Sequence, residues 1–136
     1  MPYTFRIFIG LALLLTLGFV QDDWFAKSKA RGKALYEEFC ITCHLGQGEG
    51  VVGVFPPLAQ SDYLLQQPNL ALRAIKYGQR GPVKVNGRTY NGVMAAPGLS
   101  DQEVADVMNY ISHSFGNQSK LRYRAEDVAR IKPEKI

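Results

Sequence analysis

The two cysteines of this 136-residue chain lie in one pentapeptide, Cys40-Ile41-Thr42-Cys43-His44. Thiols separated by two residues at the end of a helix can reach two vinyl positions on one porphyrin edge, and the next residue's imidazole then falls beneath the iron. One ring nitrogen donates to the metal while the other N–H is held by a backbone carbonyl, which fixes the ring. A disulfide closing so short a loop restrains little of the unfolded chain, so a structural staple is a poor use of the pair. Two other chemistries use the same residue types. A redox-active dithiol gains thiolate character at a helix N-terminus, whereas these cysteines are predicted at a helix C-terminus, where the macrodipole disfavours a thiolate. Structural zinc needs four ligands, and the only other histidine is His113.

Three side chains are candidates for a second axial ligand. Met94 sits in the irregular segment Tyr90-Asn91-Gly92-Val93-Met94-Ala95-Ala96-Pro97-Gly98, whose small residues let a chain press against a flat ring. Met108 lies at helical spacing among apolar residues, the pattern of core packing. His113 comes late in the last core helix, where a histidine commonly meets the helix end or solvent. Tyr90 and Asn91 are candidates to hydrogen-bond a haem propionate or the Met94 sulfur, and both also suit a turn.

The elements that must position these groups are mostly helical. Residues 23–40 read as a helix with Gly32, Tyr36 and Cys40 four apart on one face. His44 to Pro57 contains Gly46, Gly48, Gly50, Gly53, Pro56 and Pro57, which excludes regular structure over most of the stretch. These glycines follow a helix rather than a strand, so they are not a phosphate-cradling loop. Short helices are expected over Ser61–Gln67 and Asn69–Tyr77, the second stopping at Gly78. Ser100-Asp101-Gln102-Glu103 forms a capping box, and Val104, Val107, Met108 and Ile111 follow as an apolar stripe on a helix expected to end near Asn117. Val83-Lys84-Val85 and Arg88-Thr89-Tyr90 flank Asn86-Gly87 and suit a small hairpin. The expected fold class is therefore all-α, with three to five helices around one core.

Length allows one domain, assigned to residues 21–118. Arg6 followed by the uncharged run Ile7–Val20 has the layout of an export signal, or of an N-terminal anchor that would associate the chain with a membrane. The expected location is periplasmic or otherwise exported. Residues 21–119 hold nine Lys/Arg against nine Asp/Glu, and residues 120–136 hold six against three. The basic excess thus belongs to a charged C-terminal extension, 119–136, with a loosely docked helix before Pro133, and no nucleic-acid partner is implied.

From residue 26 to 117 the chain resembles the class I monohaem cytochromes c. The resemblance implies the cytochrome c fold, with first and last helices crossing at Gly32, Tyr36 and Tyr110, and one haem c bound covalently through Cys40 and Cys43. It implies that Met94 closes the iron site opposite His44, that the Pro56 carbonyl accepts from the His44 ring, and that Leu58 packs on the porphyrin. A thioether favours ferrous iron, so His/Met ligation implies a carrier of fairly high potential, with no open iron position for catalysis. The implied function is single-electron transfer between redox proteins, a dehydrogenase or reductase on one side and an oxidase on the other. A permanent cytochrome subunit of a larger oxidoreductase is the alternative, followed by a catalytic or sensing haem protein. Basic residues among Lys27, Lys29, Arg31, Lys33, Arg73, Lys76, Arg80, Lys84 and Arg88 would steer docking onto acidic partners, or form solvated helix faces.

Overall fold

The computed structural model describes residues 23–133. The proposed export segment, residues 1–20, lies outside them. Helix α1 runs over 23–39, and a turn at Cys40 separates it from the single turn α2, Ile41–His44. A loop built on Gly48, Gly50 and Gly53, all at positive φ, leads to α3, Asp62–Gln66, and α4, Pro68–Tyr77. Ser61 caps α3 by accepting from the Leu64 N–H, and Pro68 opens α4, where its missing N–H costs nothing. Gly78 ends α4 at φ 84°.

Four short strands follow: β1 Gln79–Arg80, β2 Val83–Val85, β3 Arg88–Tyr90 and β4 Val93–Met94. The hairpin expected around Asn86-Gly87 is the antiparallel pair β2–β3, with Val83 opposite Tyr90. The β1–β4 pair is additional, so the helical fold carries two two-stranded sheets. Two-residue strands are too short to leave an alternating pattern, which is why this pair gave no signal in the sequence.

Helix α5, Asp101–Ile111, begins at the anticipated capping box: Ser100 Oγ accepts from the Glu103 N–H, and Glu103 accepts from the Ser100 N–H. Val104, Val107, Met108 and Ile111 are all buried. The helix stops at Ile111, short of the expected end near Asn117, because Phe115 and Gly116 turn the chain at positive φ. Helix α1 crosses α5 where Gly32 lies against Asp106; a Cβ at Gly32 would overlap the Asp106 carbonyl oxygen. Tyr36, Tyr110 and Phe115 fill the space beside the crossing, with ring centroids 5.2–5.6 Å apart.

The crossing also holds a buried polar cluster. The Asp106 carboxylate accepts from Ser28 Oγ at 2.6 Å and from Arg31 Nε at 2.6 Å and Nη2 at 2.9 Å. Asn109 donates to Ser28 Oγ and to the Tyr123 carbonyl, and accepts from the Tyr123 N–H. The helix expected before Pro133 is α6, Ala125–Ala129. Tyr123 and Val128 belong to the main hydrophobic core, and α6 packs on α5. Alternating charged and apolar residues suggested only loose docking, because Val128 is the lone buried position of this five-residue helix.

Candidate functional site

An apolar cavity of about 450 Å³ opens between α2, the 54–58 segment, α3, α4, the two sheets and α5. Cys40, Cys43 and His44 line one side, and Met94 lines it from β4. Helix α1 brings Cys40 to its C-terminal turn, and α2 carries Cys43 and His44 one turn further on. Both cysteines are free thiols. Burial, with the Cys43 thiol nearby, pushes the Cys40 thiol up to about 11, the reverse of the lowered pKa that a dithiol oxidoreductase needs.

His44 is buried, and its Nδ1–H donates to the Pro56 carbonyl at 3.0 Å, so Nε2 is the nitrogen that keeps its lone pair. Burial lowers the imidazole pKa, partly offset by the bond to Pro56, and so favours the neutral ring that a metal requires. The wall holding that carbonyl is fastened at several points. Leu58 and Ala59 donate to the Gly48 carbonyl at 2.7 and 2.8 Å, and the Gly50 N–H donates to the His44 carbonyl at 3.0 Å. Asn117, also buried, donates to the carbonyls of Leu58 and Ile111 and accepts from the Ser61 N–H.

Pro56, Leu58 and Tyr90 lie on the cavity wall, whereas Asn91 is exposed and outside the lining. Met108 is fully buried in the core, as its helical spacing predicts. His113 is turned away from the cavity: its Nδ1–H donates to the Asn109 carbonyl at 2.9 Å, and its ring meets Phe25 edge-on at 4.8 Å. Sequence reasoning missed Tyr63, Leu64, Ala71, Ile75, Val83 and Val85 as wall residues. The apolar periodicity of α4 was a usable signal for Ala71 and Ile75. Asn117 carried none, since its role depends on three backbone groups distant in sequence.

The chain belongs to the cytochrome c family, whose model matches residues 29–115. It is similar to cytochrome c-552 of Thermus thermophilus, at 32% identity over 82% of this chain and 80% of that one. It is also similar to the cytochrome c subunit of the quinone alcohol dehydrogenase of Gluconobacter oxydans, at 30% identity over 74% of this chain but 22% of that subunit. The gluconate 2-dehydrogenase cytochrome c subunit of Pantoea cypripedii matches at 31% identity over 85% of this chain and 28% of the subunit.

Family membership implies a covalently bound haem, and the residues present fit one. The cavity is apolar and broad, two free thiols stand at its edge, and a neutral imidazole and a thioether line it.

Proposed function

We propose that the protein is a single-electron carrier holding one haem c, attached through Cys40 and Cys43 and ligated by His44 and Met94. The observation that carries this reading is that one apolar cavity gathers two thiols, an imidazole with its Nδ1 engaged, and a thioether. When bound, haem supplies an iron that accepts and returns one electron. The chain's own residues do the rest. His44, braced by Pro56, and Met94, paired to β1, keep the ligand set rigid, while Leu58, Ile75, Val85 and Tyr90 exclude water. Rigid ligands and a dry pocket keep the reorganisation between oxidation states small. With His44 and Met94 both given to the iron, the role these residues suit is electron transfer.

Its partners are redox proteins that dock over the cavity opening. Phe39, Val54 and Val93 line the cavity and are exposed, with Ile41, Val51 and Val52 exposed beside them. Neither 50–61 nor 89–100 contains a charged residue. The uncharged run Ile7–Val20 supports export to the periplasm, as a cleaved signal or as an anchor. Among the described residues no helix is long and apolar enough to cross a membrane.

Expression with and without a haem-ligation system, followed by a haem-stained denaturing gel and a spectrum, tests the assignment. Retained stain and a sulfur-to-iron charge-transfer band in the oxidised protein, lost in Met94→Ala, are the expected results; a colourless protein made beside the attachment machinery refutes it. A second reading, a module bound permanently in a larger oxidoreductase, draws on the dehydrogenase relatives. Size-exclusion of the native material separates a free carrier from such an assembly.

A further inference from the structure

We propose that Gly78 is a positioning residue for Met94, holding the ligand's backbone against the end of α4; this rests on the His44/Met94 reading above. Gly78 caps α4 at φ 84°, with its N–H donating to the Ala74 carbonyl at 2.9 Å. A Cβ at this position would lie 2.7 Å from the Met94 carbonyl oxygen and 3.1 Å from the Ala96 nitrogen. The next two residues continue the attachment, since Gln79 stands opposite Met94 and Arg80 opposite Val93 in the β1–β4 pair. Two features therefore converge on Met94: a close backbone approach that only glycine permits, and an antiparallel ladder.

The anchor itself is firm. Leu72 and Ile75 of α4 are in the core, and Lys76 pairs with Asp101 in the first turn of α5 at 2.7 Å. Met94 is thus tied to a packed helix through its main chain, although it looks in sequence like a loop residue. A ligand held this way leaves the iron only when the ladder opens, so the clamp sets how readily outside ligands displace the thioether.

The test compares Gly78→Ala with Gly87→Ala in the ferric holoprotein. Gly87 is an internal control: its φ is 78°, equally unfavourable for alanine, but a Cβ there meets nothing within 4 Å. Imidazole titration reads displacement of Met94. Gly78→Ala is expected to bind imidazole about tenfold tighter or more, because opening the ladder relieves the overlap of the added Cβ with the Met94 carbonyl oxygen. Its sulfur-to-iron band should weaken, while Gly87→Ala stays at the parent affinity. Equal affinities in the two variants overturn the proposal. A parent protein without the sulfur-to-iron band would instead refute Met94 ligation itself, which keeps the two failures distinct. If Gly78→Ala yields no holoprotein, amide exchange in the parent decides: protection of the β1–β4 amides at the level of α4 supports the clamp, and exchange at open-loop rates overturns it.

Discussion

At Gly50 the chain runs directly against the Pro56 carbonyl, and the consequence reaches His44. The residue sits at φ 62°, and a Cβ there would overlap the Phe55 carbonyl oxygen and lie 2.8 Å from the carbonyl carbon and oxygen of Pro56. Only glycine can occupy that conformation without strain while letting the carbonyl stay aimed at the imidazole. Gly50→Ala is therefore expected to cost about 2 kcal/mol in backbone strain. It should also shift the His44 ring resonances in the proton spectrum of the holoprotein. Gly53→Ala is the matched comparison, because it has φ 77° with open space around it and should lose stability without moving His44. Identical His44 shifts in the two variants would argue against the bracing role.

At the scale of elements, α5 organises the molecule because it is buried on more than one side. Its stripe faces the cavity and α4, while Asp106 and Asn109 face α1 and the tail. Asn109→Leu leaves the Tyr123 N–H and carbonyl without partners, which is expected to cost about 2–4 kcal/mol, since each buried unpaired group is expensive. A falling denaturation midpoint, with α1 intact by amide exchange, would locate the loss in the tail. The start of α5 has its own pH signature. Bonds from the Ser100 backbone and side chain hold the Glu103 carboxyl below its ordinary 4.5. A carboxyl depressed in the folded state contributes stability that is fully present above the unfolded value and is lost as pH falls through the folded one. Glu103→Gln is therefore expected to flatten the acid limb of the stability profile below about pH 4.5, with no change in slope near neutrality; an unchanged acid limb would contradict this.

Elements whose signal lies in local order were legible. The capping box, the apolar stripe, the Asn-Gly hairpin and the glycine ending α4 each act within a few residues, and the sequence reading located them. So did the pentapeptide, whose chemistry is fixed by adjacency. What stayed hidden depends on contacts between distant segments. The β1–β4 pair joins residues too few to show a pattern, and Asn117 serves three separate backbone groups.

For the whole molecule, the balance of charge and apolar surface governs association. Most of the basic run in α1 is spent internally: Lys27 pairs with Asp23, Lys33 with Glu37 and Arg31 with Asp106, while Lys29 lies over the Phe25 ring. Lys76 is held by Asp101. Arg80, Lys84 and Arg88 are exposed on the strands beside the uncharged opening. Electron-transfer rates with an acidic redox partner are therefore expected to fall with added salt, since screening acts on the exposed charge that Arg80, Lys84 and Arg88 carry. Rates that do not change with ionic strength would remove the case for electrostatic steering.

The crossing of α1 with α5 joins residues 28 and 106, and the tail then locks on through Asn109. During synthesis α1 and the two thiols that follow it emerge long before α5. Until the final third of the polypeptide has been delivered, Met94, Val107 and Ile111 are not there to wall the cavity that Cys40 and Cys43 line. The order of the elements along the chain thus doubles as a timetable, in which the thiols are made before the cavity around them can close.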